Sequence, residues 1–147
     1  MLDNRSYSLK RGGPMSKKER ARVYMDFLAE EGYRPYMDED GDVVFKSEGL
    51  TYVIITEEED EEFVSLVLPN FWSIDSEKEL ARALKAANEV NRSIKAVKVY
   101  VRKDGKNTIA AVEMFVKTPE SFNLVFERSL RALKGAVARF AELMRED

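Results

Sequence analysis

Apolar residues recur along this chain at two spacings, about 3.6 and about 2 residues, and the switches between them divide it into elements. Ala21, Tyr24, Phe27 and Leu28 share one face of a first helix, which opens on Ser16 and Glu19 in capping-box spacing and stops at Gly32. From Tyr33 to Leu68 the residues alternate instead. "YRPYM" reads as a short strand and "VVFK" as a second, with a turn at Asp40-Gly41 between them. "LTYVIIT" follows the turn at Gly49, and "FVSLVL" follows the acidic turn "EEEDEE". Connections this short force antiparallel pairing, so the four strands form a meander.

A second capping box, Ser76 with Glu79, starts a middle helix with apolar positions at Leu80, Leu84 and Ala87. "KAVKVYVRK" and "TIAAVEMFV" then form a hairpin joined by "DGKN". Thr118-Pro119 opens a long last helix with proline at its first position, where the lost N–H does no harm. Its stripe is Phe122, Phe126, Leu130, Leu133, Val137, Phe140 and Met144. The predicted fold is therefore α+β in the order α-β-β-β-β-α-β-β-α, an antiparallel sheet packed with three helices. Residues 1–15 show no periodicity and read as a flexible basic extension, with Met15 an alternative start; residues 16–147 read as a single domain.

Two features break the simple pattern. Continuing the middle-helix stripe from Leu80, Leu84 and Ala87 brings Asn88 and Asn91 onto the core-facing side. A buried amide without a partner costs a few kcal/mol, so such amides mark either a ligand site or a structural joint. At a helix end next to a strand, asparagine can bond free carbonyls or reach the strand, and the joint is the favoured reading. The second feature is the last hairpin. One face carries Val97, Val99, Val101, Ala110, Val112, Met114 and Val116, a core face. The other carries Tyr100 between Lys98 and Arg102, then Ile109, Ala111 and Phe115 around Glu113, which is too apolar for a purely wetted surface. "YVII" repeats this in the third strand. Either helices cover both faces, or a partner or second copy of the chain lies on one of them. Phe71 and Trp72, in the loop before the middle helix, either plug the core edge or anchor a partner.

Composition narrows the chemistry. The 147 residues contain no cysteine and no histidine. Disulfides, thiolate nucleophiles and zinc-finger ligand sets are excluded, and the usual general base is missing. Carboxylate or lysine chemistry stays open, with 27 acids present. "DEDGD" fails as an EF-hand loop, because its sixth and twelfth positions are Val43 and Gly49, and it reads as a hairpin turn. Gly105-Lys106 fails as a phosphate loop, since Tyr100 stands where the earlier glycine is needed. Between Asp38 and Glu62 eleven acids face one base, Lys46, so that edge carries a negative field able to steer a basic partner. The start of the chain is the reverse: Arg5, Lys10, Arg11, Lys17, Lys18, Arg20 and Arg22 stand against Asp3 and Glu19. Such an arm could touch nucleic acid or an anionic membrane, but apart from Tyr7 it lacks interleaved aromatics and the chain is net −3. No run has the apolar length of a signal peptide or membrane helix, so a cytoplasmic protein is expected.

The stretches "DEDGDVVFKSEGLTYVII", "LVLP", "AANEVNRSIKAVKVYV" and "AAVEMFV" and their order resemble the YbjN family of bacterial sensory-transduction regulators. More distantly, the same order of elements resembles the type III secretion chaperone fold. The likeness spans Ser16 to Met144, and "YRPYM" as an extra strand fits the YbjN pattern better. It implies a homodimer that binds a polypeptide, with no enzymatic activity and no cofactor. The expectation is a non-enzymatic cytoplasmic protein-binding module, chaperone-like or regulatory. Its partner or dimer surface would involve Tyr100, Ile109, Ala111, Phe115, Phe71 and Trp72, with Asn88 and Asn91 as a structural joint. A carboxylate-dependent enzyme and a nucleic-acid-associated regulator using the basic arm are the alternatives.

Overall fold

The computed structural model describes residues 14–146. Residues 1–13, most of the basic extension, lie outside them. The elements are α1 (Lys17–Glu30), β1 (Tyr36–Met37), β2 (Val43–Ser47), β3 (Leu50–Glu57), β4 (Asp60–Pro69), α2 (Glu77–Ser93), β5 (Val97–Val101), β6 (Thr108–Phe115) and α3 (Pro119–Arg145). All six strands join one antiparallel sheet in the order β1-β2-β3-β4-β6-β5. The meander supplies the first four. β6 then pairs with β4, which leaves β5 on the outer edge and makes α2 the crossover that carries the chain to it.

Local chemistry sets the turns. The β2–β3 connection is the two-residue Glu48-Gly49, both in the left-handed region at φ 51° and 83°. This is the backbone that the twist of paired strands favours in so short a hairpin. Glu48 is held in that strained region by α3, whose Lys134 reaches Ser47 Oγ at 2.8 Å and Glu48 Oε1 at 2.5 Å. In the β1–β2 turn, Asp38 Oδ1 accepts the main-chain N–H groups of Asp40 and Asp42. The acidic run differs from expectation. Only Glu58 and Glu59 form the turn, and its other members extend β3 and β4, with the ladder shifting register between Ile55 and Glu57.

The three helices pack on one side of the sheet. Val43, Phe45, Tyr52, Ile54, Val64, Leu66, Leu68, Val97, Val99, Ala110 and Val112 form one core with Tyr24 and Leu28 of α1, Ala83 and Val90 of α2, and the α3 stripe. Phe126 is its hub, with ring centroids 5.5 Å from Phe27, 5.7 Å from Phe45 and 6.0 Å from Phe122. Burying each such ring stabilises the fold by about 2–3 kcal/mol.

Candidate interaction surface

The opposite side of the sheet has no helix on it among the described residues. Strand alternation puts Val44, Val53, Ile55, Phe63, Ser65, Val67, Ile109, Ala111 and Phe115 there, and none of them belongs to the helix-side core. Register aligns them into rows. Tyr36, Val44, Val53, Val67, Ala111 and Lys98 form one continuous row across the six strands. Beside it lie Ile55, Ser65 and Glu113 in one direction, and Pro69, Ile109 and Tyr100 in the other. Phe63 pairs with Phe115 at the far end, their centroids 6.1 Å apart.

The relief of this face is specific. Its middle is low, since Ser65, Val67 and Ala111 are small or β-branched and buried. Its rim is aromatic and tall, with Tyr36 at 58%, Tyr100 at 41% and Phe115 at 85% exposed. Five strands at about 4.8 Å and five residues at about 3.3 Å make a patch of about 400 Å². Most of its exposed apolar area lies on the rim, because Val44, Val67 and Ala111 are themselves buried. The two charges at the β5 edge neutralise each other, because Lys98 Nζ lies 3.0 Å from Glu113 Oε1 and 5.4 Å from the Tyr100 ring centroid.

Tyr100, Ile109, Ala111 and Phe115 therefore lie together on the open face. Phe71 and Trp72 do not join them. They are half-buried on the helix side, 5.1 and 6.0 Å from the Phe140 ring, and plug the core edge. Val44, Val53, Ile55, Phe63 and Val67 complete the face. The apolarity of "YVII" on both sides was the signal for the β3 members.

The two asparagines part company. The α2 stripe that reaches the core is Ala83, Ala86, Ala87 and Val90, rotated from the expected one, and Leu84 is 54% exposed. Asn88 is exposed and is not a joint. Asn91 is also exposed rather than core-facing, but from the margin of the stripe it donates from Nδ2 to the Val99 carbonyl at 3.0 Å and accepts the Val99 N–H at Oδ1 at 2.8 Å. Those main-chain groups belong to the outer edge strand. The amide thus imitates a neighbouring strand and closes the free edge of the sheet at Val99.

The two charged regions meet each other. Arg20, counted above with the basic arm, is 1% exposed. It donates from Nη2 to the Glu57 carbonyl at 2.7 Å and from Nε to the Met15 carbonyl at 3.3 Å, clamping the β3–β4 turn to the start of α1. Lys17 Nζ lies 2.9 Å from Asp42 Oδ1, and the Lys17 N–H donates to Glu58 Oε2. Of the described arm, Lys17 is thus paired with the acidic edge and Arg20 with its main chain, while Lys18 and Arg22 stay exposed. Oxygens of Asp38, Asp40 and Asp42 lie within 4.8 Å of one another. The turn's own N–H groups and Lys17 already engage two of these three residues.

Among the displaced titrations, those of Glu19, Glu48 and Tyr24 have clear local causes. The Ser16 main-chain N–H, then its hydroxyl, hold Glu19 below the usual carboxylate range. The Lys134 hydrogen bond does the same to Glu48. Burial pushes the Tyr24 hydroxyl well up, against the pull of the Arg20 charge. Depressing a carboxylate keeps it ionised, the opposite of what a general acid needs.

Fold and surface together define a class: an α+β domain with one antiparallel sheet, roofed by helices on one side and open on the other. Within that class, the chain belongs to the YbjN family, whose model, described as "Putative bacterial sensory transduction regulator", matches residues 25–143. The structure is similar to the crystal structure of YbjN from E. coli, described as a putative transcription regulator. The TM-score is 0.62 at 12% identity, covering 82% of this chain and 90% of that one. It is also similar to an uncharacterized protein from Methanothermobacter thermautotrophicus, with TM-score 0.54 at 15% identity, covering 84% and 97%. At these identities the likeness concerns the fold. No curated protein matches the sequence. No helix among the described residues is long and apolar enough to cross a membrane.

Proposed function

We propose that this YbjN-family chain is a non-enzymatic, cytoplasmic protein-binding module that pairs with a second copy of itself through the open sheet face and serves a regulatory or chaperone-like role toward a polypeptide partner. The observation that carries the reading is the continuous apolar row from Tyr36 to Ala111 with no helix over it. A second copy suits its relief. Two such faces related by a twofold axis can set the aromatic rim of one over the low middle of the other, as sheets do when they pack about 10 Å apart. The Lys98–Glu113 pair enters such an interface already neutralised. The absence of histidine and cysteine from the sequence also favours a binding role over catalysis.

Light scattering on the purified chain tests this. The wild type is expected at twice the mass of one chain. Ala111→Arg, which sets a charge in the middle of the face, is expected at the mass of one chain with its circular dichroism unchanged. A wild-type monomer, or a folded Ala111→Arg dimer, would overturn the proposal.

A further inference from the structure

On the helix side, α2 and α3 border an open groove of about 800 Å³. Its α2 wall carries Lys78, Arg82 and Lys85, spaced i, i+4, i+7 and so stacked along one stripe about 10 Å long. Ala86 and Leu143 give the groove an apolar part, and the exposed Asn88 stands beside them. Most other charges here are already matched. Arg139 lies 3.0 Å from Glu142 and 3.8 Å from Glu146, and Glu89 lies 2.8 Å from Arg92. Arg82 donates to the main-chain carbonyl of Glu146, which leaves its charge uncompensated. Among the described residues, Lys78, Arg82 and Lys85 thus have no carboxylate partner. Three unmatched cations lining a concavity concentrate positive potential, in a chain whose net charge is −3.

We infer that this groove is a docking site for an acidic amphipathic helix of a partner protein. The inference rests on the protein-binding reading above and names the partner's chemistry. The cations repeat at helical spacing, so acids at i, i+4 and i+7 of an incoming helix meet all three. The next apolar residue on that helix then lies over Ala86 and Leu143, the helix-in-groove mode of recognition. A small anion would use only part of a channel this long and open. Asn88 offers the docked helix both a donor and an acceptor. That gives the exposed amide a role which neither core packing nor helix capping supplies.

Fluorescence anisotropy with the full chain tests this. The probe is a synthetic eighteen-residue helical peptide carrying Glu at i, i+4, i+7 and i+11 and Leu beside them. Wild type is expected to bind it more weakly as salt rises. Lys78→Glu with Lys85→Glu, which leaves the Arg82 contact in place, is expected to weaken binding at least tenfold. A matched peptide with Lys for Glu is expected not to bind. Ala111→Arg is expected to bind as wild type, so failure of self-association and failure of the groove are separable. Unchanged affinity in the double variant, or no binding of the acidic peptide, would overturn the inference. So would inorganic polyphosphate displacing the peptide at equal charge concentration, because the groove would then be a general polyanion site.

Discussion

At the scale of single residues, the polar groups that matter most are those bonded to backbone. Asn91 satisfies both main-chain groups of Val99 on an edge strand. Asn91→Ala returns that edge to water and to other chains, and is expected to cost about 1–2 kcal/mol. Denaturant unfolding checks it, and a wild-type midpoint would contradict the role. Arg20 is the sharper case, because it is buried and its planar fork spans two segments. Arg20→Ala is expected to lose about 3 kcal/mol, since it removes a buried side chain and the donor that ties the Glu57 and Met15 carbonyls together. Arg22→Ala, on the exposed face of the same helix, is expected to stay within about 0.5 kcal/mol of wild type in the same experiment. Sequence alone grouped these two arginines into one arm. The clue was spacing, because Arg20 precedes Tyr24 by four residues and so lies on the core stripe. The amides misled for a related reason. Counting the large Leu84 as a core position rotates the α2 stripe and carries Asn88 inward with it, whereas the stripe that packs on the core is the small Ala83, Ala86 and Ala87 with Val90.

At the scale of elements, order and type were fully legible in the alternation of spacing and in the caps. Ser16 and Ser76 each accept the N–H three residues on, as their spacing implied, but only Ser16 completes the box, because Glu79 Oε1 accepts the Asp75 N–H instead; Thr118 caps its helix in the same way through Ser121. The ends of strands were less legible. "EEEDEE" looks like a loop because its residues are solvated, yet the ladder hydrogen bonds that extend β3 and β4 into it do not depend on side-chain polarity. The β2–β3 turn also carries the clearest pH dependence. Lys134 holds Glu48 below its ordinary value of 4.5 by hydrogen bond and charge. A carboxylate depressed on folding stabilises above its unfolded value and loses that contribution as pH falls through its folded one. Carboxyl NMR is therefore expected to show Glu48 titrating below 4.5 in wild type and near it in Lys134→Met. The stability difference between the two proteins should shrink across the same acid range. Identical Glu48 titrations would contradict the α3 clamp on the turn.

At the scale of the whole molecule, the sheet has two sides of different standing. Sequence showed that both were apolar in β3, β5 and β6. It could not say whether helices divide between the sides, because an apolar side chain has the same pattern under a helix as under another chain. The contacts decide it. α1, α2 and α3 all bury their stripes in one core, and the row through Val44, Val53, Val67 and Ala111 is left outside it. The helix-side groove carries the unmatched positive charge, so the two proposed interactions use opposite sides of the molecule and do not compete. The most direct test of the open face as a self-association surface is two-dimensional methyl and amide NMR across a hundredfold dilution. Concentration-dependent shifts are expected at Val44, Val53, Val67, Ile109, Ala111 and Phe115, with Ala83, Val90 and Leu133 on the helix side unmoved. Spectra that do not change with dilution in a monomeric protein, or shifts confined to the helices, would contradict that role.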